Sequence, residues 1–309
     1  MITLNGTKTV HSDKKIGFSM LFIVLWGCLH SQVNKIEGIV VDNEGQPLYL
    51  ALVFNADLAI GTYTNEKGQF LLETDEEDIE LEVFVLGYLR KKIYPAESSG
   101  PIQVRMEKLV YDLDELVITP CDAKVKAWGI EPVSSISSAM LSPAKFSSQK
   151  GLFMPVPPDR QLMEIEVMAL NRRLQRGSFR LRIYSIDSLG LPSEDLLHEN
   201  LIVRLPRFRT KRPVSIDLKE YNVFTAENGI LVAVEWLSLS QNLYQRQSGS
   251  EATEYYVPKL GLTPIDKDKD LQMWSKRDGE EWSHSNPPVL GNEDQRMVPY
   301  IRVYLSDCP

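Results

Sequence analysis

Cysteine and histidine are scarce in this chain of 309 residues, which contains three cysteines and four histidines. Only His198 and His284 lie beyond the N-terminal segment, so a Ser-His-Asp or Cys-His arrangement would depend on one of these two. The sequence also lacks the G-x-S-x-G, H-E-x-x-H and glycine-rich phosphate-loop motifs. We therefore expect no catalytic residue, no metal site and no cofactor.

Basic residues are also in the minority, with 34 Lys and Arg against 42 Asp and Glu and a formal net charge of −8. Because Lys and Arg supply most of the affinity for phosphate backbones, this balance argues against a nucleic-acid partner. Helical periodicity is missing as well. Short runs of alternating apolar residues, separated by Gly, Pro, Asn and Asp, predict an all-β fold.

The N-terminal segment, residues 1–32, has the features of a secretory signal peptide. Lys14 and Lys15 supply the positive region, and residues 16–29 form an apolar stretch that is too short for a comfortable membrane span. The sequence therefore predicts export, to the periplasm or to the outer membrane and cell surface.

Three fates of this segment remain open. Residues 25–28 resemble a lipobox, which would make Cys28 a lipidated N-terminus, although Trp26 is bulkier than the usual small residue. Ordinary cleavage after Ser31 is the second, and an uncleaved anchor is the third. In each case we expect membrane contact only through the signal or a lipid anchor.

Two cysteines follow the signal segment, Cys121 and Cys308. They stand near the two ends of the second predicted domain, and export permits oxidation. We predict a disulfide between them; the alternative is two unrelated thiols.

Residues 35–70 read as three strands joined by polar turns, and they carry a recognisable pattern. The pattern is G-x-V-x-D-x-x-G-x-P-L, then A-x-V, then G-T-x-T-N-x-x-G-x-F. Its fixed positions are Gly38, Val40, Asp42, Gly45, Pro47, Leu48, Ala51, Val53, Gly61, Thr62, Thr64, Asn65, Gly68 and Phe70. This pattern resembles the carboxypeptidase regulatory-like domain, as does the segment L-D-E-L-V-I-T at residues 113–119.

The resemblance implies a transthyretin-like (prealbumin-like) β-sandwich of seven strands over residues 33–119. It also implies a Bacteroidota-type cell-envelope protein, in which such domains stand ahead of a TonB-dependent receptor or another surface module. It implies no catalytic residue.

Residues 120–145, rich in Ser and interrupted by Pro, are predicted to be a linker, together with a first strand of the next domain. Residues 146–309 return to strand patterns. The segments R-I-Y, D-x-x-G-x-P-x-x-D-L-L, V-x-I-D-L and V-E-W resemble those of jelly-roll domains in Bacteroidota surface proteins, which implies a jelly-roll-like β-sandwich.

One strand of that second domain, residues 178–186, alternates between two sets of side chains. The first set is Phe179, Leu181 and Ile183, and the second is Arg180, Arg182 and Tyr184. The alternation predicts one buried face and one face in water.

Several aromatic residues lie in the long polar region 241–292, which we interpret as loops. Candidate ligand-binding residues are Trp274, Trp282, Tyr255, Tyr256 and Arg277. Exposed Trp and Tyr rings stack on sugars or on protein partners. The alternative is that these rings anchor the loops to the sandwich.

The sequence thus predicts an exported envelope accessory or binding protein without catalytic activity. The first domain would be a spacer or docking module, and the second a contact surface for an envelope protein or polysaccharide. One alternative is a carbohydrate-binding accessory that uses Trp274 and Trp282. A second alternative is a hydrolase with a cryptic pair of carboxylates.

Overall fold

The structure is a computed structural model that describes the chain from Val33 to Asp307 with several gaps. The described residues are 33–76, 78–95, 100–109, 124–132, 140–141, 148–171, 177–206, 212–248, 251–266, 269–277, 279–285 and 295–307. The predicted signal peptide with Cys28 lies outside them, as do Cys121 and Cys308. Lipidation and the disulfide therefore stay predictions.

The first domain is a sandwich of two sheets in its described part. Its strands are β1 (Asn34–Val41), β2 (Leu52–Asn55), β3 (Ile60–Tyr63), β4 (Gln69–Thr74), β5 (Leu81–Phe84), β6 (Lys91–Ile93) and β7 (Ile102–Arg105). One sheet has the order β4-β1-β7 and the other β3-β2-β5-β6. β1 runs antiparallel to β4 and parallel to β7. The predicted seven strands are confirmed, and apolar residues of both sheets form one core.

The sequence motif of this domain holds its turns in shape. Asp42 Oδ1 accepts hydrogen bonds from the backbone N–H groups of Glu44 (2.9 Å) and Gln46 (2.8 Å), which closes the turn after β1. Gly38 has to be glycine because an added Cβ would lie 2.5 Å from the carbonyl oxygen of Ile102 on β7. The motif is therefore structural.

The second domain contains strands β8 to β24 in its described part. They are β8 (Val125–Gly129), β9 (Met140–Leu141), β10 (Ser148–Met154), β11 (Leu162–Val167), β12 (Ala169–Leu170), β13 (Ser178–Ile186), β14 (Pro192–Asp195), β15 (Ile202–Arg204), β16 (Val214–Asp217), β17 (Ile230–Trp236), β18 (Leu243–Ser248), β19 (Glu251–Tyr256), β20 (Lys259–Asp266), β21 (Gln272–Arg277), β22 (Ser283–His284), β23 (Gln295–Pro299) and β24 (Ile301–Ser306). Two 3-10 turns, Lys219–Tyr221 and Ser240–Asn242, accompany them.

These strands form a large sheet facing smaller ones. The large sheet has the order β14-β13-β17-β10-β21-β22, with β15 also paired to β13. Two four-stranded sheets have the orders β16-β11-β24-β8 and β12-β20-β23, the latter with β9 on β20, and β18 and β19 form a separate hairpin. One apolar core contains residues of the large sheet, such as Leu181, and of β24, such as Val303. The prediction of a second β-sandwich is confirmed.

The segment predicted as a linker contains β8, which pairs with the last strand β24. Beyond this ladder, Lys124 and Asp307 exchange two hydrogen bonds, at 2.8 and 2.9 Å. Because β8 pairs with the final strand, it belongs to the second domain. That domain therefore begins before residue 146.

The prediction that one face of β13 lies in water is wrong. Arg180 and Arg182 are only 1% and 2% exposed, and Tyr184 is buried as well. The first domain packs against the two arginines, where Leu50 and Tyr63 share an apolar cluster with Leu237. Tyr184 is covered by tryptophans of the second domain. Both domains belong to one compact unit from Val33 to Pro309.

Candidate functional site

A chain of buried ion pairs lies on the face of the large sheet that the first domain covers. Glu235 of β17 accepts a hydrogen bond from Arg180 Nη1 at 2.8 Å and another from Arg182 Nε at 2.9 Å. Arg182 Nη1 in turn donates to Asp195 of β14 at 2.6 Å. β13 and β17 place these groups together because Arg180 stands opposite Glu235 in their antiparallel register. The two cations and two anions cancel each other.

The first domain supplies partners to this network across the domain boundary. Arg180 Nη2 donates to the carbonyl oxygen of Leu50 at 2.9 Å, and the Tyr63 hydroxyl lies 3.5 Å from Glu235 Oε1. The guanidinium carbon of Arg182 lies 5.3 Å from the centre of the Phe84 ring, within the range of a cation–π contact. The charges are thus shielded by protein on both sides.

Burial and charge pairing set the protonation of this network. Burial lowers the pKa of Arg182, but the neighbouring Tyr184, Glu235 and Asp195 outweigh it and raise the pKa overall, so the guanidinium stays charged. Burial raises the pKa of Asp195, and the attraction of Arg182 and the N–H of Leu197 oppose this only in part. Because Arg180 also donates to Leu50 of the first domain, the network of Arg180, Arg182, Glu235 and Asp195 links the two domains, and we call it the ion-pair joint.

The sequence contained a signal for this joint that our interpretation missed. β17 reads ILVAVEW and is buried at every position, so its glutamate requires a buried partner. The alternating arginines of β13 are those partners. The alternation of β13 alone predicts a solvated face, and the glutamate in β17 is the sign that it is buried.

Among the predicted ligand-binding residues, Trp274 departs most from the prediction of an exposed ring. It lies on β21 and is 3% exposed, packed against Tyr184 and Leu231 on the large sheet. The His284 ring of β22 stacks on it with centroids 3.8 Å apart. The hypothesis of an exposed Trp274 face is wrong, because the region interpreted as loops contains a strand in the middle of a sheet.

Trp282 belongs to the same cluster as Trp274 and is partly buried. Its ring meets Tyr184 edge-on, with centroids 5.2 Å apart, and Lys276 Nζ lies 5.8 Å from it. Arg277 is exposed and forms a 3.6 Å ion pair with Glu280. These contacts favour the alternative that the tryptophans anchor their segment to the sandwich.

Tyr255 and Tyr256 lie elsewhere, on the hairpin strand β19. The Tyr255 ring lies 4.8 Å from that of Tyr244, and Lys259 Nζ lies 4.5 Å from its centre. Tyr256 lines a cleft of about 480 Å³ between the domains, opposite Ile60 and the exposed Leu71. The structure thus divides the predicted set into two groups.

A larger cleft, of about 720 Å³, lies at another point of the domain boundary. It is lined by Tyr49, Glu66, Ser178, Arg204, Leu205, Pro206 and Gln241. Sequence reasoning missed this set because its members come from separate segments of both domains. Within the part of the chain that the structure describes, no group of His, Cys, Asp and Glu side chains is arranged to hold a metal ion. No described helix is long and apolar enough to cross a membrane.

Comparison with known proteins assigns the first domain. A search of curated proteins gave no match. A family model, by contrast, matches residues 36–118, a range that includes most of β1 and all of β2 to β7. The chain therefore contains a CarboxypepD_reg-like domain, which has the transthyretin-like β-sandwich fold.

Proposed function

We propose that the protein is a non-catalytic binding protein of the cell envelope, in which the CarboxypepD_reg-like domain and the second sandwich act as one rigid body. The observation that carries this proposal is the contact of Arg180 with Leu50, which ties the buried ion pairs of one domain to the backbone of the other. Opening the boundary would expose or unpair these charges, which costs several kcal/mol. A rigid pair of domains holds a binding surface in a fixed orientation.

The division of labour follows from the position of each domain. The first domain stands directly after the predicted signal or lipid anchor, and domains of its family are regulatory rather than catalytic. It would dock or space the protein at the envelope. The second domain, which is larger, would provide the contact surface for an envelope protein or polysaccharide.

Cell fractionation tests the location on which this function depends. The native protein is followed in cytoplasmic, periplasmic and membrane fractions, together with a Cys28→Ala variant and metabolic labelling with palmitate. Recovery of the wild-type protein in the envelope supports the proposal, and label that the Cys28→Ala variant loses identifies a lipid anchor. Recovery in the cytoplasm overturns it.

A photo-crosslinking experiment tests the binding role. A photoreactive residue replaces Leu189, which is 81% exposed at a hairpin turn of the second domain. We expect crosslinks to a defined envelope component in intact cells, and we expect them to weaken when Glu235→Gln loosens the joint. Crosslinks of equal yield in the wild type and in Glu235→Gln would contradict the rigid-body model.

A further inference from the structure

The larger boundary cleft is built from both domains. Tyr49 and Glu66 belong to the first domain, and Arg204 and Gln241 to the second. Ligand sites occur preferentially at such boundaries, where two domains leave a concave surface. The two domains are fixed to each other by the ion-pair joint, so this concave shape exists before any ligand arrives.

A buried asparagine fixes the floor of this cleft. Asn242 is fully buried, and its Oδ1 accepts hydrogen bonds from the N–H of Ser178 at 2.9 Å and from its hydroxyl at 3.4 Å. Its Nδ2 donates to the carbonyl oxygens of Ser178 and Leu237, both at 2.8 Å. One amide thus uses all of its hydrogen-bonding capacity to hold Ser178 beside the segment that carries Gln241.

A second buried asparagine fixes one wall. Asn171 is 5% exposed; its Nδ2 donates to the carbonyl oxygen of Pro206 at 2.9 Å, and its Oδ1 accepts from the N–H of Gly177 at 3.1 Å. The N–H of Leu205 donates to the carbonyl oxygen of Gly177 at 2.9 Å. The backbone that lines the cleft is therefore preorganised by buried side chains, as in a binding site.

The side chains at the rim are available to a ligand. Among the described residues, the side chains of Arg204, Gln241 and Glu66 and the hydroxyl of Tyr49 have no hydrogen-bond partner, and the first three side chains are exposed. The Tyr49 ring packs against the apolar cluster around Leu50, which holds it in place. The cleft thus combines one fixed aromatic ring with guanidinium, amide and carboxylate groups.

This chemistry selects a neutral, hydroxyl-rich ligand. The opposite charges of Arg204 and Glu66 cancel, which disfavours a strongly anionic or cationic ligand. An apolar ligand would strip water from four polar groups without replacing their hydrogen bonds. Sugar hydroxyls both donate and accept, and the face of a pyranose stacks on an aromatic ring.

We infer that the cleft lined by Tyr49, Glu66, Arg204 and Gln241 binds a neutral oligosaccharide. This inference names a ligand class for the non-catalytic binding function proposed above and rests on it. It places the sugar at the domain boundary, away from Trp274 and Trp282.

Isothermal titration of the purified full-length protein tests the inference. The probes are cellotetraose, xylotetraose, mannotetraose, maltotetraose and chitotetraose, each also followed by mass spectrometry for cleavage. The cleft variants are Arg204→Ala, Gln241→Ala and Glu66→Gln, all at exposed positions. The matched controls are Arg277→Ala, an exposed arginine outside the cleft, and Lys67→Ala, next to Glu66 in the same turn.

We expect one of these sugars to bind, and each cleft variant to weaken binding about tenfold or more, with unchanged melting temperature. The controls should bind as the wild type does. Wild-type affinity in the cleft variants, or a loss confined to Arg277→Ala, overturns the location. No binding to any probe overturns the ligand class. Cleavage of a bound sugar would leave the cleft in place and overturn the non-catalytic function.

Discussion

Arg180 of the second domain donates a hydrogen bond to the carbonyl oxygen of Leu50 in the first domain, at 2.9 Å. Leu50 has a φ of 57°, a left-handed conformation that is uncommon for a residue other than glycine. Its N–H donates to the carbonyl oxygen of Thr64, a residue of the family motif. The family motif therefore also positions the carbonyl oxygen of Leu50, which accepts the hydrogen bond from the second domain.

Breaking the ion-pair joint should cost far more than breaking a surface pair. Glu235→Gln keeps the shape of the side chain but leaves Arg180 and Arg182 without their shared anion, so we expect a loss of about 3–5 kcal/mol in the free energy of unfolding. The control is Glu73→Gln, which breaks an exposed 3.1 Å pair with Lys35 and should cost less than about 1 kcal/mol. Urea denaturation measures both. Equal losses in the two variants would mean that the ion-pair joint stabilises the fold no more than an exposed salt bridge does.

The free energy of unfolding should depend on pH through Asp195, whose side chain is only 14% exposed. Its pKa in the folded protein is raised from the ordinary value of 3.8, so the native state binds more protons than the unfolded state just above that pH. The stabilisation that Asp195 gives to the folded protein is therefore fully present below pH 3.8. It is lost as the pH rises through the pKa of Asp195 in the folded protein. Relative to Asp195→Asn, the wild type should lose stability over this interval.

Urea unfolding of both proteins at half-unit steps from pH 3.5 to about 7 checks this sign. The asparagine variant removes the titrating group, so the difference between the two curves isolates Asp195. A difference that grows in favour of the wild type with rising pH would show that the ion pair with Arg182 outweighs burial.

A glycine pair tests the contact between the domains directly. Gly279 and Gly190 have nearly the same φ, +84° and +81°, so Gly→Ala costs a similar left-handed strain of about 1 kcal/mol at each. A Cβ at Gly279 would lie 2.2 Å from that of Ala56 in the first domain, whereas no atom lies within 4 Å of one at Gly190. Gly279→Ala should therefore lower the melting temperature more than Gly190→Ala does.

The double variant Gly279→Ala, Ala56→Gly should recover most of the excess loss, because it removes the methyl group that clashes. Ala56→Gly alone is the control for the effect of the new glycine. A double variant no better than Gly279→Ala would place the strain elsewhere.

The first domain was predictable because its information is local. Alternation of apolar residues and turn signals such as Asp42 and Gly45 fall within a few residues of the strands they define. A motif that shapes turns can be read from one stretch of sequence.

The covered face of β13 was not predictable in the same way. Alternation at Arg180 and Arg182 shows that two faces differ chemically. The first-domain residues that contact them, Leu50 and Phe84, lie far away in the sequence. Only Glu235, a charge inside an apolar strand, indicated a buried partner. The boundary clefts leave no local signal, because residues such as Glu66 and Gln241 meet only after both domains have folded.

Substitution of Trp274 separates two hypotheses for its ring, an exposed surface for a ligand and a residue of the core. It is 3% exposed and packs on the large sheet, so Trp274→Ala should create a cavity and cost about 3–5 kcal/mol in the free energy of unfolding. The matched control is Trp128→Ala on β8, where the ring is 37% exposed and the cost should stay near 1 kcal/mol or below. Oligosaccharide affinity of the folded Trp274 variant should match the wild type, since the cleft lies elsewhere. A stable Trp274→Ala protein that loses sugar binding would restore the exposed-platform hypothesis and reject the packing described for β21.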